Sequence, residues 1–220
     1  MRDACIYKPM NRLFFLPLTA VLTLGTGFAQ YKMETVSGAP ADLPAAYAPL
    51  LQKDGYRVAG PNGPWCEVWF RTALPAGPKS SEDAVAFPTI PQGAFLAVVR
   101  FPGQGADRRG QSIKPGLYTL RYSLYPVNGD HQGAAPQRDF GLLTPIAEDK
   151  DPNATPGFDA LVAMSRKASG TPHPAVLSIE PPAGEAKVPG VAKEGEKDWT
   201  LSVKIGDTPL SVIVVGKAEA

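Results

Sequence analysis

From residue 117 to residue 125 the chain alternates. Tyr118, Leu120, Tyr122 and Leu124 carry apolar or aromatic bulk, and Thr119, Arg121 and Ser123 stand between them. Successive side chains of a strand point to opposite faces, so a two-residue period predicts a half-buried strand, one face in a core and one in water. The alternation recurs in Trp199, Leu201, Val203 and Ile205 against Thr200, Ser202 and Lys204. There Gly206-Asp207-Thr208-Pro209 turns the run into residues 210–215, which predicts a closing hairpin. Residues 94–101 (AFLAVVRF) are almost continuously apolar and predict a strand buried on both faces. Residues 56–58 and 66–74 predict two strands joined through Gly60-Pro61-Asn62-Gly63-Pro64. In the second, Val68 and Phe70 face one way and Glu67, Trp69 and Arg71 the other. Residues 140–145 and 175–179 complete the strands read from pattern.

One segment carries a full set of helix signals. Pro156 sits at the first turn, Phe158, Leu161 and Val162 share a face, Arg166 and Lys167 lie near the end, and Gly170 follows. These predict a helix over residues 158–168. Residues 43–52 predict a shorter helix, broken near Pro49. Residues 30–42, 75–92, 102–112, 126–138 and 181–196 are rich in proline, glycine and polar residues and read as connections. Ile113-Lys114-Pro115-Gly116-Leu117-Tyr118 resembles the tyrosine corner of Greek-key sandwiches, in which the tyrosine hydroxyl bonds back to upstream backbone. The expected fold is therefore mainly β: an antiparallel, Greek-key-like β-sandwich with one or two short helices. No repeat or linker interrupts residues 30–220, which read as a single domain.

The N-terminus changes the compartment. Lys8 and Arg12 precede twelve apolar residues, 13–24, and Gly27-Phe28-Ala29 supplies small residues where a signal peptidase cuts. Residues 1–29 read as a signal peptide cleaved after Ala29, and the same signal is complete if translation starts at Met10. The run is short for a membrane span and contains Pro17, and no later run reaches membrane length. The mature protein is expected in the periplasm or outside the cell. Of 22 basic and 21 acidic residues, removal of Arg2, Lys8, Arg12 and Asp3 leaves a formal charge of −1 without like-charge blocks. That balance argues against nucleic acid or an anionic membrane surface as partner. With Cys5 in the leader, Cys66 is the one cysteine left, so no internal disulfide forms. Its apolar neighbours predict a buried, inert thiol.

The segments GLYTLRYSLYP, GDHQG, RDF and SGTPHPAVLSI resemble a group of uncharacterised exported bacterial proteins. The resemblance runs through most of residues 43–182 and implies no activity. Chemistry must be sought in the residues themselves. The two histidines, His131 and His173, both sit among turn formers, and Asp130, Arg138 and Asp139 accompany the first. Imidazole and guanidinium favour anionic groups, and carboxylates orient them or accept hydroxyls. Asp130, His131, Arg138, Asp139 and His173 are thus the candidate ligand-binding residues. If they do this work from a solvated loop, replacing His131 or Arg138 by alanine should weaken binding and spare stability. The structural alternative is that Asp130 makes a turn, Arg138 pairs with a carboxylate and the histidines are merely exposed.

No HExxH, Cys-x-x-Cys, Gly-x-Ser-x-Gly or phosphate-binding glycine loop is present. The residue types of a copper site exist in Cys66, His131, His173 and Met164, but no histidine or methionine follows Cys66 closely. Trp65, Trp69 and Trp199 are expected in the core before a sugar-binding face. No catalytic set, resident metal or cofactor is expected. The expected function is that of an exported, non-catalytic binding or accessory protein for a small molecule, glycan or envelope protein. The alternatives are a metal-binding protein or hydrolase using His131 and His173, and a structural envelope protein.

Overall fold

A computed structural model describes residues 30–75, 77–127 and 137–217. The expected leader, Asp130 and His131 lie outside the described residues. In chain order the strands are β1 (Lys32–Ser37), β2 (Asp54–Gly60), β3 (Gly63–Phe70), β4 (Phe95–Phe101), β5 (Gly105–Ala106), β6 (Ser112–Ile113), β7 (Gly116–Leu124) and β8 (Asp139–Pro145). Helix α1 (Phe158–Ser169) follows, then β9 (Val176–Glu180), β10 (Gly190–Glu194), β11 (Asp198–Ile205) and β12 (Thr208–Val215).

Ten of these strands form one antiparallel sheet in the order β1-β2-β3-β4-β7-β8-β9-β12-β11-β10, and β5 pairs with β6. The sheet curls until its edges β1 and β10 approach, giving a nearly closed, barrel-like shape. The expected antiparallel β architecture is present, and its opposing layers belong to one continuous sheet. Strands β10, β11 and β12 are successive hairpin partners, and β9 lies beside β12, a Greek-key return. The β9–β12 junction is narrow, with two residue pairs, Ser211↔Glu180 and Val212↔Ile179.

Alternation decides which side chains enter the curl. Val68 and Phe70 of β3, Tyr118, Leu120 and Tyr122 of β7, and Leu201 and Val203 of β11 all join the main core. Gly141 of β8 makes room there: a Cβ at that position would stand 2.4 Å from Leu120 Cδ1. Trp69 takes the other face of β3 and packs with Tyr47, Leu51, Phe95, Val98 and Leu117. Helix α1 covers β8 and β9 from outside, Leu161 meeting Phe140, Leu142 and Val176. Gly170 closes it in the left-handed conformation, φ +66°, its N–H donating to the Arg166 carbonyl. Tyr118 is buried and donates to the Lys114 carbonyl at 2.7 Å, as the corner motif implies. Cys66 is buried, and burial pushes its thiol well above the ordinary range.

Three expectations change. Residues 43–52 form only a short 3-10 turn, Ala48–Leu50, because the residues on either side of it, Tyr47 and Leu51, are held in the cluster with Trp69 and Phe95. Strands β1 and β10 come from stretches that read as connections, their pairing supplied by neighbours rather than by an apolar pattern. Strand β7 is buried on both faces. Its outer residue Arg121 is completely buried against Asp149, with Nε to Oδ2 at 2.5 Å and Nη2 to Oδ1 at 2.8 Å. The carbonyls of Gly93, Asp151 and Ala154 take further donors of the same guanidinium, and Thr119 donates to Asp149 Oδ2 at 2.6 Å. Residues 145–157 thereby form a lid on the face that alternation assigns to water.

Candidate functional site

The residues selected from sequence part company in space. His173 lies between α1 and β9, exposed, its backbone N–H held by Thr171 Oγ1 at 3.1 Å. Because β8 and β9 run antiparallel, with Leu142 opposite Val176, the start of β9 lies beside the end of β8. Arg138 and Asp139 stand at the other end of β8, roughly 20 Å away along the strand. His173 therefore does not join them.

Asp139 is fully buried. Its Oδ1 accepts the Phe87 N–H at 3.0 Å and the Tyr122 hydroxyl at 2.6 Å, and its Oδ2 accepts the Ala86 N–H at 2.9 Å. Burial, together with this hydrogen bond to Asp139, pushes the Tyr122 hydroxyl far above its ordinary value. Arg138 is nearly as enclosed. Its guanidinium donates to the Tyr125 carbonyl from Nε at 3.3 Å and Nη2 at 3.1 Å, to the Asp83 carbonyl at 2.9 Å and to Glu82 Oε2 at 2.5 Å. Both side chains tie residues 82–87 to the mouth of the sheet. In solvated loops such groups would be free; here a second connection folds over them.

That connection builds a cavity. Residues 77–92, which read as a featureless loop, are anchored by Phe87 and Ile90 in the main core. Between them and the end of β7 lies a half-open space of about 600 Å³, within the size range of small-molecule sites. Ile90, Pro91, Tyr122, Leu124 and Phe158 contribute apolar surface, and Pro126, Val127 and Arg138 border it from the 126–139 segment. Val127 is 83 % exposed at this rim. The polar members are Ser80, Glu82, Gln92 and Arg138. Gln92 Oε1 accepts from Ser123 Oγ at 3.0 Å, whereas its Nε2 is buried with no acceptor within reach among the described residues. The apolar-Pro pairs Phe87-Pro88 and Ile90-Pro91 were the available sequence signal for this anchored wall.

A second titratable group lies at the β9–β12 junction. The Glu180 carboxyl is pushed up to about 7, first by burial, then by hydrogen bonding to Glu194 and by the charges of Glu194 and Asp198, with Arg108 opposing. Arg108 itself pairs with Asp198 at 3.0 Å. Among the described residues no three histidine, cysteine or carboxylate side chains gather as metal ligands, and no helix is long and apolar enough to cross a membrane.

Fold and cavity together define a class: a mainly antiparallel β protein whose single curled sheet carries a half-open, largely apolar cavity at the end where β7 stops and β8 begins. Comparison with protein-family models, curated proteins and solved structures finds no match to this chain.

Proposed function

We propose that the chain is an exported binding protein, acting in the periplasm or outside the cell without catalysing a reaction, and that it holds a small molecule in the cavity bordered by Pro126, Val127 and Arg138. The observation that carries this reading is the cavity itself. It has ligand-sized volume, apolar walls and a few polar groups, and its borders are fixed by hydrogen bonds that Arg138 donates and Asp139 accepts. A preformed wall lowers the ordering cost of binding. Among the described lining residues the hydroxyls are Ser80 and Tyr122, and the Tyr122 hydroxyl is already given to Asp139 at 2.6 Å.

The test is to recover the wild-type protein and Leu124→Trp from the envelope and the medium, extract both and compare the extracts by mass spectrometry. The expected result is a small molecule carried by the wild type and absent from the folded variant, with a mature N-terminus at Gln30. Identical extracts from the two proteins would overturn the cavity as the binding site, and an intact Met1 or Met10 terminus would overturn export.

A further inference from the structure

The chemistry left unspent in the cavity indicates what kind of molecule it takes. We infer that the ligand is an uncharged acyl-type molecule, an apolar chain bearing a neutral carbonyl oxygen, whose oxygen accepts from the Gln92 amide; this rests on the binding reading above. Three observations lead there. The walls are mostly hydrocarbon and ring: Ile90, Pro91, Leu124, Val127 and Phe158 recognise an apolar body. The two charged members offset one another, because Arg138 and Glu82 pair, and three further Arg138 bonds go to the carbonyls of Tyr125 and Asp83. An anionic ligand would meet the Glu82 carboxylate beside the guanidinium, and a cationic one the guanidinium beside the carboxylate, so neither finds an unopposed charge. The Tyr122 hydroxyl is likewise committed, to Asp139.

What remains is donor capacity. Gln92 Nε2 carries two protons, is buried and meets no acceptor among the described residues. Ser80 Oγ accepts the Glu82 N–H at 3.2 Å, which leaves its own proton to give. An unmade hydrogen bond on a buried donor is costly, and a ligand acceptor removes that cost. Ester, amide or ketone oxygens supply the acceptor without a charge. The expected ligand therefore differs from the anionic group that the residue types around His131 and Arg138 imply.

Three octyl probes separate the possibilities: methyl octanoate, octanoate and octylammonium, titrated into ¹⁵N-labelled mature protein and followed by nuclear magnetic resonance. Methyl octanoate is expected to shift the Gln92 side-chain amide and the backbone signals of Leu124 and Phe158, with the two ions at least about tenfold weaker. Gln92→Leu should weaken the ester about tenfold, the equivalent of about 1.4 kcal/mol. Gln92→Glu keeps the acceptor that Ser123 uses and removes the donor, so it should weaken the ester comparably even if the leucine variant folds poorly. Octanoate binding tightest would overturn the inference. So would ester binding that Leu124→Trp abolishes and both Gln92 variants leave unchanged, although the cavity would then stand as a site. If no probe binds, the acyl assignment falls, while the extraction experiment still decides whether the protein is a binding protein.

Discussion

At the scale of single residues, the polar groups that look most functional in the sequence are held in internal bonds. Arg138 spends its donors on two carbonyls and a carboxylate, so Arg138→Ala is expected to cost about 2 kcal/mol, the scale of hydrogen bonds to charged groups. Urea denaturation checks it, and an unchanged midpoint would show that the arginine is free to serve a ligand. The larger effect belongs to Asp149. Removing its carboxylate strands the completely buried Arg121 guanidinium, and Asp149→Ala is expected to cost about 3–5 kcal/mol. Tyr118→Phe should cost only about 1 kcal/mol, since a single bond to the Lys114 carbonyl is lost. An undiminished denaturation midpoint in that variant would argue against a stabilising corner.

At the scale of elements, helix α1 behaves as its pattern requires. Its amphipathic face buries Leu161 and Val162, and Gly170 ends it. Leu161 is wholly buried against β8 and β9, so Leu161→Ala is expected to cost about 2–5 kcal/mol, read from a thermal or chemical melt. Strand β7 departs from its pattern. Alternation correctly puts Tyr118, Leu120 and Tyr122 in the core, but the same pattern assigns Thr119, Arg121 and Ser123 to water. All three are buried, because residues 145–157 and 92–94 bring acceptors to them. A polar side chain with a partner inside the fold has the same local sequence as one with water for a partner. Residues 77–92 illustrate the converse. They have no secondary structure of their own to reveal them, yet Phe87 and Ile90 anchor them and Asp139 caps two of their amides.

At the scale of the whole molecule, the narrow β9–β12 junction joins the two arms of the curled sheet, and Glu180 sits in it. Its carboxyl stands near 7 in the folded protein against 4.5 in the unfolded chain, so the folded state binds this proton more tightly. The stabilisation is fully present below pH 4.5 and is lost as pH rises through 7. Denaturation midpoints measured across that window should fall with rising pH in the wild type, and Glu180→Gln should flatten the decline. An equally steep decline in the variant would place the titration elsewhere.

The sequence by itself determined the strands that carry their own apolar period, the helix with its caps, the tyrosine corner and the buried state of Cys66. These depend on near neighbours in the chain and on burial of side chains at fixed spacing, which any reader of the pattern can recover. Only the tertiary structure decided that β1 and β10 are strands, since their hydrogen bonds come from partners and not from pattern. It alone separated His173 from Arg138, by running β8 and β9 antiparallel and placing the two at opposite ends. The cavity belongs to the same category: its walls come from residues 78–92, 122–127, 138 and 158, and no local signal tells a chain which distant segments will face each other across empty space.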